Sequence, residues 1–397
     1  MKKAYTLQVI GLKHPYYDDC MELCTITKQL YNVGLYELRQ TLIHQQSFLS
    51  YKAVYQLMKS NENWCAIPRK VSNQVWKQVT GSWSSWLKGL KNYKQSPSDF
   101  MGRPKMPNYN ASLNSVVYEK GALGTRGLPT DHIRLSQTNI ILDISTIKGE
   151  VVEARITPRK NKFIIRVTYT EEMKQTPLNY DKIAGIDLGL NNLIAVATNQ
   201  ADTPHILVNG RGLKSINHYG NKQVAKRRSK LAKGIRSSLF IRNVQDKRNQ
   251  KVDDYLHKAS RKVVDWLVEN DIGTLIIGKN KHWKTAIKIG KRNNQNFVQI
   301  PHARLIDLIQ YKFEQENGIV VVHEESYTSK ASALDLDPLP TYRKGSKKRC
   351  FSGRRIKRGL YKTLSGFLIN ADINGALNII RKGDTQFIHN YMTPQFI

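Results

Sequence analysis

The stretch Ala184-Gly185-Ile186-Asp187-Leu188-Gly189 places one carboxylate, Asp187, inside an apolar run flanked by glycines. The chain carries 31 Asp and Glu against 63 Lys and Arg, so an acid within a hydrophobic strand is unusual for it. The flanking glycines permit another element to approach the backbone closely. Two interpretations are open: Asp187 is a catalytic, metal-binding carboxylate, or it is a turn residue that caps the hairpin that follows it.

The segments around this stretch follow one another as in a mixed sheet flanked by helices. A strand at Ile183–Ile186 precedes a hairpin partner at Leu193–Ala197 and a third strand at Ile206–Val208. The later predicted elements are a basic helical region over 214–270, a strand at Thr274–Ile277, a helix at His302–Gln315, a strand at Ile319–His323 and a helix around Asn374–Arg381. This order predicts a ribonuclease H-like α/β domain over residues 181–397.

A second acid, Asp372, lies at the start of the last predicted helix, in Leu368-Ile369-Asn370-Ala371-Asp372-Ile373-Asn374. The competing interpretation is a helix N-cap, for which Asp is among the best residues. Metal-dependent phosphodiester cleavage needs carboxylates that converge on two divalent ions about 3.5–4 Å apart. Neighbouring strands and a helix can supply them, so Asp187 and Asp372 are candidates for such a magnesium site, with the turn and N-cap interpretations open.

The first half of the chain predicts a β domain with a helical insertion. Residues 3–13 alternate as a strand, Asp18 to Leu42 has helical spacing, and a second long helix follows Pro68. Short strands over 132–170 fit a small antiparallel barrel. We therefore predict an α+β multidomain protein, with a β-barrel domain over 1–15 and 106–180 and a helical domain over 16–105.

The charge balance indicates a polyanionic partner. The formal net charge is +32 and the pI is about 9.9, and binding to phosphates relieves such self-repulsion and releases counterions. The basic helical run has few carboxylates to pair with, which favours a groove that follows a nucleic-acid backbone over a merely solvated face. A membrane partner is not favoured, because no stretch of about 18 apolar residues occurs.

The four cysteines do not have the spacing of a zinc site. Cys20, Cys24, Cys65 and Cys350 include no CxxC pair, so no structural zinc is expected. Cys20 and Cys24 share one apolar helical face, which predicts free thiols in a core and fits a reducing compartment.

Two motifs then carry a family resemblance. Gly-Ile-Asp-Leu-Gly-Leu-Asn-Asn-Leu at 185–193 and Asn-Ala-Asp-Ile-Asn-Gly-Ala-Leu-Asn-Ile at 370–379 resemble the first and third catalytic motifs of TnpB. TnpB is the RNA-guided RuvC nuclease of bacterial insertion sequences, related to type V CRISPR effectors and Fanzors. Segments 257–261, 327–330 and 102–105 also resemble the family and occur in its order, so the resemblance spans nearly the whole chain. It implies that the β-barrel is a wedge domain, the helical insertion a recognition domain and 181–397 a RuvC nuclease domain.

The chain departs from the family pattern at the second catalytic acid. Gly278 stands at the strand end where the family has a Glu. The next strand, Ile319–His323, is followed by Glu324 and Glu325, and adjacent strands lie about 5 Å apart, so a Glu one strand over can substitute. Successive residues face opposite sides, and the spacing to Tyr327-Thr328-Ser329 favours Glu325, with Glu324 as second choice. The remaining interpretation is that both are exposed strand-end acids.

The family's cysteine pairs are also absent, so segment 331–368 is predicted to be a degenerate zinc-ribbon-like insertion without zinc. The predicted nucleic-acid contacts are aromatic and basic. Trp76 lies off the apolar helical face and is the candidate for base stacking, and the helical His257 is a candidate phosphate contact. The remaining predicted contacts are the basic residues Lys226, Arg227, Arg228, Lys230, Lys330, Arg354 and Arg355.

The resemblance implies an RNA-guided, magnesium-dependent DNA endonuclease of a transposable element. Its guide RNA would derive from the element's end, and it would cleave double-stranded target DNA beside a short flanking motif. Asp187, Glu325 and Asp372 would hold two Mg²⁺ ions, for which Mn²⁺ can substitute. The resemblance further implies a monomer in the bacterial cytoplasm, at the nucleoid.

Two other functions stay open from the sequence. The missing acid at Gly278 motivates a nuclease-inactive, RNA-guided DNA-binding repressor. A plain RNA-binding protein explains the charge but not the ordered acidic motifs.

Overall fold

The computed structural model describes residues 2–45, 51–172, 174–280, 290–342 and 349–383. The chain divides into two compact units, Met1–Glu172 and Met173–Ile397, here called the N-terminal and C-terminal units. The predicted helical insertion and the predicted β domain thus share one unit and one hydrophobic core. Within the described ranges, no helix is long and apolar enough to cross a membrane.

The N-terminal unit combines antiparallel strands with long helices. Its elements are β1 (Lys2–Gly11), α1 (Tyr17–Gln45), α2 (Tyr51–Met58), α3 (Glu62–Cys65), α4 (Arg69–Gln95), β2 (Val116–Glu119), β3 (Leu123–Gly124), β4 (His132–Leu135), β5 (Ile141–Asp143), β6 (Glu150–Arg159) and β7 (Lys162–Thr170). One sheet has the order β1-β7-β6-β2 and a smaller one the order β3-β4-β5. The sequence predicts the N-terminal strand and both long helices correctly, whereas closure of the strands into a barrel stays a prediction.

The aromatic residue that the sequence assigns to base stacking lies in the core of this unit. Trp76 is 2% exposed, so it cannot stack on a base and that prediction is wrong. The reason is that α4 contacts both α1 and β2 and therefore buries two faces. The Trp76 ring, which belongs to α4, packs against α1 at Gly34: a Cβ added at Gly34 would lie 3.3 Å from the Trp76 ring. Truncating such a side chain costs about 3–5 kcal/mol of stability.

The thiols of Cys20 and Cys24 are buried and free, as predicted. Burial, reinforced by the charge of Asp19, raises the pKa of Cys20 to about 12. Both cysteines therefore stay protonated at neutral pH and act as small apolar side chains.

The C-terminal unit contains the candidate acids. Its elements are β8 (Asn179–Leu188), β9 (Asn192–Thr198), β10 (Ile206–Asn209), α5 (Arg211–Arg228), α6 (Leu239–Glu269), β11 (Ile272–Gly278), α7 (Lys291–Gln299), α8 (His302–Gln315), β12 (Ile319–His323), β13 (Arg354–Lys357), β14 (Leu360–Lys362), β15 (Leu368–Asn370) and α9 (Ala371–Gly383).

These elements form a mixed sheet between helical layers. The strand order is β10-β9-β8-β11-β12, in which β8, β9 and β10 pair antiparallel and β11 runs parallel to both β8 and β12. Helices α6 and α8 share one hydrophobic core with the sheet, and α9 shares a second one with β9. The interior strand β11 is buried along most of its length because helices cover both faces, which explains its continuous apolar run.

A second, three-stranded sheet with the order β13-β14-β15 occupies part of the predicted insertion 331–368. Each of its strands is three or four residues long; β13 is exposed, whereas β14 and β15 are partly buried. Short strands of this kind carry little apolar alternation, so the sequence did not predict them.

Candidate active site

Strand β8 carries Asp187 on the face that α9 covers. Asp187 pairs in register with Ala195 of β9, and Ala195 packs in the core beneath α9. A Cβ added at Gly375 of α9 would lie 2.7 Å from Asp187 Oδ2. A glycine at this position therefore lets the helix pass directly over the carboxylate, as the glycine-containing motif suggests.

Asp372 does not act as the N-cap of α9. Asn370 takes that role, because its Oδ1 accepts hydrogen bonds from the backbone N–H groups of Asp372 (2.9 Å) and Ile373 (3.3 Å). The capping interpretation of Asp372 is wrong, and its carboxylate turns to side-chain partners instead. Oδ2 accepts from Asn192 Nδ2 at 2.8 Å, and Oδ1 lies 3.3 Å from Arg355 Nη2.

Glu325 reaches the position that Gly278 leaves empty. Gly278 ends β11 and pairs with His323, the last residue of β12. Beyond His323 the chain turns so that Glu325 Oε2 would lie 2.6 Å from a Cβ added at Gly278. The Asn280 side chain fixes this turn, since its Oδ1 accepts from the Glu325 N–H at 3.2 Å.

Glu324 faces a different environment. It forms an ion pair with Lys382 of α9, whose side chain is 6% exposed, and its Oε1 accepts from the Ser326 N–H at 2.6 Å. The two neighbouring acids thus have separate partners, and it is Glu325 that faces Gly278.

Burial is the main influence on the ionisation of Asp187 and Glu325, and neighbouring carboxylates add to it. Burial, followed by the charges of Glu325 and Asp372, raises the pKa of Asp187 to about 7, while Arg355 opposes the shift. Burial, followed by the charge of Glu324, raises the pKa of Glu325 to about 7. Such mutual repulsion between acids is the kind that a bound cation relieves.

The carboxylates of Asp187, Glu325 and Asp372 are suitable ligands for a hard divalent cation, although they do not converge on a single ion position. All three candidates offer carboxylate oxygens, which Mg²⁺ prefers. Within the described residues, no three His, Cys, Asp or Glu side chains are close enough to hold an ion as they stand. Both oxygens of Asp372 are instead engaged by Asn192 and Arg355.

Two buried asparagines of α9 hold the loop that follows Glu325. Asn374 accepts from the Ala333 N–H and donates to the Ala331 carbonyl, at 2.9 and 2.8 Å. Asn378 donates to the carbonyls of Thr328 and Ala331, at 2.9 and 2.7 Å. Both asparagines are 0% exposed, and neither is among the site residues predicted from the sequence. The available signal was two amides spaced four residues apart in an otherwise apolar helix.

The predicted basic contacts are exposed. Three of them, Lys226, Arg227 and Arg228, form the last turn of α5, and Lys230 follows in the turn after it. The single predicted basic region is thus two helices, α5 and α6, joined by this turn. Lys330 and Arg354 are also exposed, whereas Arg355 lies beside Asp372.

His257 is exposed on α6. Desolvation, together with the nearby cations Lys312 and Arg304, lowers its pKa. Its ring is therefore neutral at pH 7 and could contact a phosphate only as a neutral hydrogen-bond donor.

Two models of known protein families match segments of this chain. The family model of a probable transposase, OrfB_IS605, matches residues 165–284, which include β8, β9 and β11. A model of the TNB domain of Cas12f1-like proteins matches residues 302–379, which include Glu325 and Asp372. This chain is related to TnpB and to the compact type V nucleases.

Two similar proteins, one compared by sequence and one by structure, show how much of the chain is alike. The CRISPR-associated endodeoxyribonuclease Cas12f1 of Sulfoacidibacillus thermotolerans is 26% identical over 232 residues, which are 56% of this TnpB-like chain and 50% of that protein. The chain therefore spans about half the length of this curated relative. The cryo-EM structure of a Cas12f1-sgRNA-target DNA complex matches with a TM-score of 0.58 and 15% identity, over 91% of this chain and 82% of that one. At that identity the match shows a shared fold.

Proposed function

We propose that this TnpB-like chain is an RNA-guided, magnesium-dependent DNA endonuclease of a transposable element. The observation that carries the proposal is the position of Glu325, whose Oε2 lies 2.6 Å from the point where a side chain would begin at Gly278. With Asp187 and Asp372 it restores three acids at the ends of β8, β12 and the start of α9. The alternative, a nuclease-inactive repressor, rests on Gly278 alone.

In this proposal Asp187, Glu325 and Asp372 together bind two Mg²⁺ ions, for which Mn²⁺ can substitute. Such a pair of ions activates water and stabilises the leaving oxygen in phosphodiester hydrolysis. Asp187 is fixed beneath α9 at Gly375, and Glu325 is fixed by Asn280 and by the loop bound to Asn374 and Asn378. Arg355 lies beside Asp372 and is placed to contact a phosphate of the substrate.

The proposed partners are a guide RNA from the element's end and double-stranded target DNA beside a short flanking motif. The formal charge of +32 supports a polyanionic partner, as do the exposed cations at the end of α5. The related Cas12f1 structure was determined with a guide RNA and target DNA. We place the protein in the bacterial cytoplasm as a monomer.

The test begins with the RNA that co-purifies with the protein. Sequencing should recover one defined structured species, and the complex should then cleave guide-matched DNA in Mg²⁺ or Mn²⁺. Heterogeneous RNA would favour a plain RNA-binding protein. One defined RNA without any cleavage of matched DNA would leave the repressor as the function.

A further inference from the structure

A cleft of about 580 Å³ lies between α5 and α6. Its walls combine two exposed aromatic rings with cationic side chains. Tyr219 of α5 is 62% exposed and Phe240 of α6 is 46% exposed. The cations of the lining are Lys247, Arg248 and Lys251 of α6.

Negative charge is nearly absent around this cleft. Over residues 211–252 the sequence holds one acid, Asp246, and none of the described residues that line the cleft is acidic. The guanidinium of Arg227 lies over the Phe240 ring, 5.1 Å from its centroid. Aromatic faces bordered by cations bind unpaired nucleobases, because the rings stack on the bases while the cations hold the phosphates.

The start of α5 is linked to the candidate active site by hydrogen bonds. Lys214, at the start of α5, donates to Asn191 Oδ1 at 2.9 Å, and the next residue, Asn192, donates to Asp372. The cleft lining begins at Ser215 and follows α5 to Gln223. At a rise of 1.5 Å per residue this is about 12 Å, enough for about three stacked nucleotides at ~3.4 Å each.

We propose that the α5–α6 cleft binds single-stranded DNA that leads to or from the acids Asp187, Glu325 and Asp372, with bases stacked on Tyr219 and Phe240. The inference rests on the proposed nuclease function for the identity of the strand. A duplex is the wrong occupant, since its base faces are covered by their neighbours. Double-stranded DNA would have to be unpaired before the cleft can take one strand.

The test measures binding of a fluorescein-labelled ten-nucleotide oligodeoxythymidylate to the full chain carrying its guide RNA. Tyr219→Ala combined with Phe240→Ala should weaken binding by about 10-fold or more, because one stacked base contributes about 5- to 150-fold. The dependence on salt should stay that of the wild type, since no charge is removed. Tyr219→Trp should retain binding, because its ring still stacks.

Tyr180→Ala is the matched control. Tyr180 is 42% exposed and lies at the end of β8 remote from Asp187, so this variant should bind the oligonucleotide as the wild type does. An independent readout is photocrosslinking of a 5-iododeoxyuridine oligonucleotide, which should map to Tyr219 or Phe240 by mass spectrometry.

Three results would overturn the proposal. One is wild-type affinity in the double variant, and another is a loss of affinity in Tyr180→Ala equal to that of the double variant. The third is a loss of affinity for oligouridylate or duplex DNA in the double variant equal to its loss for the oligodeoxythymidylate. The readouts are separable from those of the nuclease. If the wild-type complex cuts no DNA, the proposed function fails, while the binding and crosslinking results still decide whether the cleft takes single-stranded DNA. If Asp187→Asn abolishes cleavage and the double variant binds normally, the nuclease stands and the cleft proposal fails.

Discussion

Glu325 and Gly278 share one site: the Oε2 atom of Glu325 lies 2.6 Å from the point where a Cβ would stand on Gly278. A side chain at 278 would therefore require the carboxylate of Glu325 to shift, together with the end of the Ile379 side chain, whose Cδ1 is also 2.6 Å from that point. The proposed relocation of the second acid by one strand thus has a physical basis, since Glu325 after β12 reaches the side-chain position of residue 278 on β11.

Glu325→Gln should reduce guide-directed DNA cleavage by more than about 100-fold, because it removes a proposed direct metal ligand and even supporting residues cost 10–100-fold. Guide and target binding should persist, since losing a negative charge does not weaken phosphate attraction. Cleavage rates and filter binding measure the two effects separately. The double variant Gly278→Glu/Glu325→Gly should regain part of the cleavage, because it returns the acid to β11 and removes one of the two side chains that a Cβ at 278 would meet, leaving Ile379 to shift.

Glu324→Gln serves as the control for this prediction. Its loss leaves the buried Lys382 ammonium without its carboxylate partner, so the melting temperature should fall while the cleavage rate of the folded protein is kept. If Glu324→Gln is the inactive variant and Glu325→Gln cleaves normally, the assignment of the second acid is wrong.

Arg355 and Arg354 are adjacent on β13, but Arg355 is the one paired with Asp372, at 3.3 Å. Arg355→Gln should lower the cleavage rate by about 10- to 100-fold, with Arg354→Gln close to the wild type. Arg355 also opposes the rise in the pKa of Asp187, so its loss should move the acid limb of the pH–rate profile to higher pH. Equal effects of the two substitutions would mean that both arginines act only through general charge.

The metal-free protein should lose stability as the pH rises towards neutrality. Asp187 and Glu325 have pKa values of about 7 in the folded protein against about 4 in an unfolded chain. A raised pKa contributes stability that is fully present below the unfolded value and is lost as the pH rises through the folded value. Between about pH 5 and pH 8 the melting temperature should fall by about 5 °C in a chelator.

Two measurements check this pH dependence. The double variant Asp187→Asn/Glu325→Gln should show a flatter profile, because its amides do not titrate. Mg²⁺ should stabilise the wild type more at pH 8 than at pH 5, since binding requires the ionised acids. A wild-type profile as flat as that of the double variant would contradict the proposed crowding of the acids.

The sequence predicts the elements of the C-terminal unit well where apolar periodicity is strong. The predicted bounds of α8 and β12 are those observed. The strand predicted at Thr274–Ile277 is β11, which extends from Ile272 to Gly278. The assignment of Glu325 as the second acid stays a prediction, made from the family resemblance, strand alternation and the spacing to Tyr327-Thr328-Ser329. That Glu325 approaches Gly278 depends on the turn after His323 and the hydrogen bond from its N–H to Asn280, which periodicity does not describe.

The errors arose where tertiary packing overrides local pattern. Trp76 lies off the main apolar face of α4, but a second surface on α1 buries it. Asp372 has the residue type of an N-cap, but Asn370 two residues earlier takes the cap. In both cases a neighbouring group determines the outcome, and the apolar periodicity of a single helix does not predict where that group lies.

Two carboxylates, those of Asp335 and Asp337, connect the described parts of the predicted insertion 331–368. Asp335 accepts hydrogen bonds from the Leu364 N–H (2.8 Å) and the hydroxyls of Ser365 (2.9 Å) and Ser352 (3.2 Å). Asp337, 7% exposed, accepts from the N–H groups of Ser332 and Ser352. These bonds connect the segment before β13 with the turn between β14 and β15.

Asp335→Asn should therefore loosen the β13–β15 sheet. Burial opposes ionisation of Asp335, but hydrogen bonds from Ser332, Leu364 and Ser365 hold its pKa below the usual value, so the ionised form is the one bound. Losing these charge-assisted bonds should cost about 1–3 kcal/mol. Faster hydrogen exchange over 354–370 would report the loosening, and Asp202→Asn, an exposed turn acid, should leave exchange there unchanged.

Acid should produce the same loosening in the wild type, because a depressed pKa contributes stability that is lost as the pH falls through the folded value. Zinc chelators should leave the exchange of 354–370 unaltered, since hydrogen bonds to Asp335 and Asp337 connect these segments. One tightly bound zinc per chain by elemental analysis, with exchange over 354–370 rising on chelation, would show that a metal holds this sheet and that the carboxylate network is secondary.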